Sequence, residues 1–241
     1  MHAEFRDAMH DLELRDEIRA VVVTGTPPAF CVGGDSDALA QHAERGGYDT
    51  GLPDEPATPG VNRRPEYDED FAWMFGFRTP IIAAVNGAAA GIGLALALFC
   101  DLRFGAAHAK LTTAAPKLGL PAEYGMSWVL PRLIGATRAN DLLLSGRIVT
   151  AAETESWGLW NDVVADGEAA LDAALAYASL LASSVGPNAV TVTKAQIYRD
   201  LHRHDSAASV SESKELLDVA MRTSEYREGI AALREKRSPQ F

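Results

Sequence analysis

A run of small residues follows an apolar segment in the middle of the chain: Gly87-Ala-Ala-Ala-Gly91-Ile92-Gly93 comes directly after Ile81–Asn86. The apolar segment predicts a buried strand, and Leu94–Leu98 predicts a helix that begins near Gly93. Small residues let a ligand approach the backbone, and the free N–H groups at a helix start carry partial positive charge. Such a loop could donate hydrogen bonds to an oxygen that becomes negative during a reaction. A tight strand-to-helix turn inside a packed core would use the same residues.

A second segment has the same character. Ala20–Gly25 is rich in β-branched residues and predicts a buried strand, and Phe30-Cys-Val-Gly33-Gly34-Asp35 follows a few residues later. Glycines directly after a strand leave backbone N–H groups open to a cleft. Two such loops could supply two hydrogen-bond donors to one oxygen, which is the minimum for an oxyanion hole.

Several motifs in this chain resemble, in order and in spacing, those of the crotonase (enoyl-CoA hydratase/isomerase) superfamily. They are Phe30–Asp35, Asn86-Gly87 with Gly91-Ile-Gly93, Cys100-Asp-Leu-Arg103, Leu118-Gly-Leu-Pro121 and the closing Lys236–Phe241. The resemblance runs from Met1 to Phe241. It implies an enzyme that binds acyl-CoA thioesters, needs no further cofactor and stabilises a thioester enolate with two backbone N–H groups.

The resemblance also implies which residues form the site. Gly34 and Ile92 match the two N–H donors; the second is usually glycine in the family, and isoleucine keeps the N–H while narrowing the pocket. The implied substrate-binding residues are Cys31, Val32, Gly33, Ser36, Gly91, Pro116, Lys236 and Arg237. The last two would contact a CoA phosphate from the C-terminal tail, although a solvated basic chain end has the same composition.

Two glutamates that handle water in the hydratases of this family are absent from this chain. The matching positions are Ala95, on the helix after the glycine-rich loop, and Ala115, before Lys117-Leu-Gly119. Hydration needs a base that activates water and an acid that delivers a proton to carbon, and alanine provides neither. We therefore do not expect ordinary hydratase activity.

One carboxylate stands where the enoyl-CoA isomerase branch of the family keeps its single catalytic glutamate. This residue is Glu123, in Gly119-Leu-Pro-Ala-Glu-Tyr-Gly125. One base can remove a proton from C2 and return it at C4 while an oxyanion hole holds the dienolate. An acidic residue before the helix predicted at Met126–Leu130 is also favourable through the helix dipole alone. The favoured interpretation is isomerase-type proton transfer, and the alternatives are hydration by a non-standard residue set and a non-catalytic acyl-CoA-binding protein.

The alternation of predicted strands and helices indicates an α/β fold. The family resemblance implies a crotonase-like spiral of repeated ββα turns, and the pattern becomes entirely helical after Ser184-Val-Gly-Pro187. We accordingly expect an α/β core with the acyl-CoA site at residues 1–184 and a C-terminal helical oligomerisation region at residues 185–241. The family's usual N-terminal strands are expected to be missing, since the sequence begins at a predicted helix. The resemblance implies a homotrimer or hexamer.

The composition narrows the classes of function. Hydrophobic residues make up 47% of the 241 residues, yet no apolar stretch approaches the ~18 residues of a membrane span, and Met1–Asp7 is unlike a signal peptide. The net charge of −11 argues against nucleic-acid binding. Cys31 and Cys100 lie in apolar segments, as reduced thiols do, and the chain is predicted to be cytoplasmic. His202 and His204 lack further ligands, so no metal site is expected.

Overall fold

The computed structural model describes residues 1–34, 40, 44–46, 52–53 and 59–241. Within these ranges the strands are β1 (Val21–Thr24), β2 (Ala29–Cys31), β3 (Ile81–Val85), β4 (Ala88–Ala90), β5 (Leu102–Ala106), β6 (Lys110–Thr112), β7 (Val149–Thr150) and β8 (Asp162–Val164). The α-helices are α1 (His2–Glu13), α2 (Ile92–Phe99), α3 (Met126–Ser145), α4 (Ala151–Thr154), α5 (Gly167–Ser184), α6 (Pro187–Asp200), α7 (Ser206–Ala220) and α8 (Ser224–Glu235). Short 3₁₀ segments lie at Pro65–Tyr67, Ala72–Gly76, Ala115–Leu118 and Glu155–Trp157.

The first six strands enter two sheets alternately. The first sheet has the order β1-β3-β5-β8 and is parallel throughout, and the second has the order β2-β4-β6-β7 with only β7 antiparallel. Each two consecutive strands (β1 and β2, β3 and β4, β5 and β6) therefore add one strand to each sheet. Every turn of the chain extends both sheets by one strand. This arrangement confirms the predicted α/β spiral.

The central strand β3 shows how the sequence places the core. Its residues Ile81–Val85 are all buried, as expected for a parallel strand that is covered on both faces. Because strand side chains alternate, Ile81 and Val85 face the main core. Ile82 faces a smaller cluster that α5 covers with Ala174. The sheet thus has no solvent-facing side at β3.

The C-terminal helices α6, α7 and α8 follow a break at Gly186, and Pro187 occupies the start of α6. Helix α6 is joined to the core by Lys194, whose Nζ lies 2.7 Å from Asp101 Oδ2 and 3.1 Å from the Thr79 carbonyl oxygen. The division at residue 184 stays a prediction.

Within the described ranges no single helix is long and apolar enough to cross a membrane. Helices α5 and α6 reach the required length and hydropathy only when they are taken together, and the angle between them is 117°.

Candidate active site

The start of α2 places a free N–H group at the end of the glycine-rich loop. Gly91 precedes the helix with a φ of 52°, and its own N–H donates to the Thr112 carbonyl oxygen at 3.1 Å. The first hydrogen bond inside the helix runs from Ala95 N–H to the Gly91 carbonyl. The Ile92 N–H has no acceptor among the described residues, as is usual for the first turn of a helix. It is available to a ligand.

The second loop runs directly beside this helix start because Gly93 has no side chain. A Cβ at Gly93 would lie 2.0 Å from the Cys31 carbonyl oxygen, far inside van der Waals contact. Gly33, which has a φ of 97°, lies next to the end of β4, where a Cβ on it would be 3.3 Å from the Ala90 carbonyl oxygen. The backbone at Cys31–Gly33 is therefore next to the segment that carries Ile92. The two proposed donors come from neighbouring stretches of backbone.

The Glu123 carboxylate reaches the same place. Its Oε2 lies 3.7 Å from the position of a Cβ on Gly91, the residue before the Ile92 N–H. Burial raises the pKa of Glu123 above the ordinary value, because removal from water disfavours the charged form. In the described part of the chain no side chain donates a hydrogen bond to this carboxylate or forms an ion pair with it. Glu123 is therefore a half-buried group of raised basicity beside the proposed oxyanion donors.

The two positions that match the hydratase glutamates are closed. Ala95, in the first turns of α2, and Ala115, at the start of a 3₁₀ segment, are both 0% exposed. Each presents only a methyl group, so neither can activate water. Of these three positions, only Glu123 places a carboxylate beside the glycine-rich loop.

Two residues with strained backbones support the Glu123 segment, and sequence reasoning missed the first of them. Phe71 and Tyr124 have φ values of 62° and 47°, in the left-handed region that side chains of this size avoid. Their rings meet edge to face with centroids 5.5 Å apart, and His2 stacks on Phe71 at 5.3 Å. Tyr124 follows Glu123 in the chain, so this packing restrains the backbone that carries the carboxylate. Positive φ at an aromatic residue has no sequence signal.

A cavity of about 210 Å³ adjoins the start of α2. Its walls include Cys31, Ile92 and Leu96, together with the rings of Phe30 and Phe71. This lining is apolar and suits a hydrocarbon group better than a charged one. Apolar space therefore lies beside the segment that carries a proposed donor.

The other residues predicted to bind substrate are distributed less tightly. Val32 lies in the loop after β2 and is 60% exposed. Pro116 belongs to the 3₁₀ segment Ala115–Leu118, which follows β6, the strand paired with β4. Ser36 lies outside the described residues. Lys236 ends helix α8, and Arg237 is ion-paired.

The ion pairs of Arg237 are with two glutamates of the same helix. Its guanidinium donates to Glu228 at 2.6 Å and to Glu235 at 2.6 Å. These bonds raise the pKa of Arg237 and hold the pKa of Glu228 down at about 2. A CoA phosphate would compete with these carboxylates for the arginine. Among the described residues no group of three or more His, Cys, Asp or Glu side chains is placed to hold a metal ion.

Comparison with known proteins extends over the whole chain. Residues 1–241 match the family model for enoyl-CoA hydratase/isomerase. The chain is 33% identical over 241 residues to the 1,2-epoxyphenylacetyl-CoA isomerase of Escherichia coli, covering 100% of this chain and 87% of that protein. It is also 33% identical over 245 residues to a probable enoyl-CoA hydratase of Mycobacterium leprae, covering 100% of this chain and 87% of that protein. A crystal structure of a probable enoyl-CoA hydratase/isomerase from Mycobacterium abscessus superimposes with a TM-score of 0.85 at 29% identity, covering 100% and 87% of the two chains.

Proposed function

Because the chain belongs to the enoyl-CoA hydratase/isomerase family, we propose that it catalyses isomerase-type proton transfer on an acyl-CoA thioester, with Glu123 as the single acid/base. The observation that carries this proposal is the position of the Glu123 carboxylate beside Gly91, together with the buried alanines at positions 95 and 115. One carboxylate next to an oxyanion hole suffices for moving a proton, whereas adding water requires more.

In the proposed reaction the thioester carbonyl oxygen accepts hydrogen bonds from the Gly34 and Ile92 N–H groups. Glu123 takes the proton from C2 of a 3-enoyl-CoA, and the negative charge spreads through the dienolate onto the oxygen held by these two donors. Glu123 then returns the proton at C4, which leaves a 2-enoyl-CoA. No atom is gained or lost, so the reaction needs no co-reactant.

The raised pKa of Glu123 suits this role. Burial makes the carboxylate a stronger base than an exposed glutamate. The proton taken from C2 therefore stays on Glu123 until it is delivered to C4. The E. coli relative, a 1,2-epoxyphenylacetyl-CoA isomerase, supports an isomerase reaction on a CoA thioester. The probable hydratase from M. leprae is the reason to test water addition in the same experiment.

The test compares Glu123→Gln with the wild-type protein. Glutamine keeps the size and polarity of the side chain but cannot take a proton, so 3-enoyl-CoA isomerisation should fall by about 10²–10⁴. Binding of a saturated acyl-CoA, measured by calorimetry, should change little. The matched control is Glu215→Gln, which alters an exposed glutamate on α7 and should leave turnover unchanged. Full isomerase activity in Glu123→Gln would remove Glu123 from the mechanism.

We also propose that residues 185–241 mediate assembly into a homotrimer or hexamer. Helix α7 and the turn after it expose large apolar side chains, with Leu217 at 55%, Val219 at 63% and Met221 at 51% exposure. Leu217 and Met221 are four residues apart and share one face of the helix, and clustered exposed apolar side chains are typical of protein interfaces. Light scattering after gel filtration tests the proposal: a mass three or six times that of the chain supports it, and a monomer contradicts it.

A further inference from the structure

A buried arginine lies at the opposite end of the helix that carries the Ile92 N–H. Arg103, on β5, is 7% exposed, and no carboxylate forms an ion pair with it in the described part of the chain. Burial lowers the pKa of Arg103, but a guanidinium starts so high that it stays charged at neutral pH. A buried charge without a charged partner is costly, so the groups around it must compensate for lost water.

The compensating groups are backbone carbonyls, and most of them belong to the end of α2. Arg103 Nη1 donates to the carbonyl oxygens of Ala97 at 3.4 Å, Leu98 at 3.3 Å and Cys100 at 2.5 Å. Its Nε donates to the Leu159 carbonyl at 2.9 Å. The carbonyls in the last turn of a helix have no partner within that helix and carry partial negative charge. Arg103 is therefore a cation that caps the C-terminus of α2.

The length of α2 links this cation to the candidate active site. The helix runs from Ile92 to Phe99, and eight residues span about 12 Å. Its first N–H group is the proposed oxyanion donor. The other buried cation nearby, Lys194, is paired with Asp101 at 2.7 Å, and the two charges largely cancel at the distance of the site. Arg103, which has no ion-pair partner among the described residues, is left as the positive charge at the far end of α2 from the proposed oxyanion donor.

We propose that Arg103 is a positioning residue for the oxyanion hole, which it serves through α2. Its hydrogen bonds to the last carbonyls of the helix fix the position of α2, and with it the position of the Ile92 N–H. Its positive charge adds to the attraction that the helix N-terminus exerts on the enolate oxygen. This inference rests on the proposed acyl-CoA site but not on Glu123. At a separation of about 15 Å and an effective dielectric constant of about 20, the charge alone is expected to change the rate about five- to tenfold.

The test separates charge from hydrogen bonding with two variants. Arg103→Lys keeps the charge with fewer donors, and Arg103→Gln keeps donors without the charge. The first readout is the infrared C=O stretching frequency of a saturated acyl-CoA labelled with ¹³C at the thioester carbonyl. Binding to the wild-type protein should lower this frequency, because the oxyanion hole polarises the carbonyl. The lowering should be smaller in Arg103→Gln and largely retained in Arg103→Lys.

The second readout is kinetic. We expect kcat to fall about five- to tenfold in Arg103→Gln with KM nearly unchanged, and to be partly restored in Arg103→Lys. The control is Ile82→Ala, a cavity variant in the cluster under α5, which should reduce thermal stability without changing the carbonyl frequency.

The inference is overturned if both arginine variants show the wild-type carbonyl frequency, or if the control variant shifts it by the same amount. If Arg103→Gln does not fold, Arg103→Lys still tests the inference: with fewer donors it should lower the frequency somewhat less than the wild-type protein does, and an unchanged frequency together with an unchanged kcat would overturn the inference. Glu123→Gln distinguishes the two proposals: it should abolish turnover while the carbonyl frequency stays lowered. A lowered frequency together with full turnover in Glu123→Gln would refute the proposed base and leave the inference on Arg103 standing.

Discussion

Gly93→Ala is expected to damage the candidate active site although it adds one methyl group to a helix. Helix propensity alone would make the change favourable by about 1 kcal/mol, since alanine is the best helix former and glycine is poor. The added Cβ, however, would lie 2.0 Å from the Cys31 carbonyl oxygen. Normal contact between such atoms requires about 3.5 Å, so the two loops must separate by about 1.5 Å.

This separation decides the size of the effect. In the proposed oxyanion hole, the N–H groups of Gly34 and Ile92 would then no longer be directed to one oxygen. A displacement of about 1 Å in a reacting group can cost about 10²-fold in rate, and we expect a loss of at least that size in kcat/KM. Stability should fall by about 1–3 kcal/mol, the usual cost of overpacking, in spite of the gain in propensity.

The matched control is Gly229→Ala, the same change in helix α8. There the added Cβ would lie 3.9 Å from the Phe241 ring, which is ordinary contact. This variant should gain up to about 1 kcal/mol in the free energy of unfolding and keep full turnover. Thermal unfolding and steady-state isomerisation of 3-enoyl-CoA measure both effects. Wild-type kcat/KM in Gly93→Ala would refute the reasoning, because the two loops would then not need their close approach.

Three further predictions address the donor, the base and the core. Ile92→Pro should lower kcat by about 10²–10³ relative to Ile92→Ala, because proline fits the first position of a helix but has no N–H; equal rates in the two variants would exclude this donor. Since burial raises the pKa of Glu123 and the base must be ionised, kcat/KM should fall with decreasing pH at a value above the ordinary 4.5 of glutamate. An acid limb at or below 4.5 in the pH profile would contradict a buried base. Lys194→Met should cost about 3–5 kcal/mol in chemical denaturation, because it leaves Asp101 buried without its cation; a loss below about 1 kcal/mol would mean that the ion pair contributes little.

Local elements could be predicted from the sequence wherever burial has a clear period. Strand β3 and helix α2 were predicted within a residue or two. The apolar alternation at Trp73, Phe75 and Phe77 is typical of a strand, but Ala72–Gly76 forms a 3₁₀ helix. All three side chains are buried, so the alternation indicates burial correctly but indicates the wrong backbone geometry.

The candidate site could be predicted only in part. Gly93 marks a close approach of two backbones that only glycine fits, and Gly33 and Gly91 have positive φ values that favour glycine. That Glu123 would reach Gly91 came from the family resemblance, since contacts between distant residues depend on the packing of the whole fold. The left-handed backbones of Phe71 and Tyr124 had no sequence signal, as aromatic residues normally avoid that region. Arg103 was part of a family motif, but its bonds to the end of α2 were visible only in the structure.

The most direct test of the central claim is the fate of 3-enoyl-CoA in heavy water, followed by mass spectrometry and NMR. Wild-type protein should move the double bond from position 3 to position 2 with deuterium entering at C2 or C4 and no water added, and Glu123→Gln should leave the thioester unlabelled. A product heavier by a whole water molecule would mean hydration and would contradict the proposed isomerase-type reaction. An unchanged thioester with the wild-type protein, despite binding shown by calorimetry, would contradict catalysis altogether.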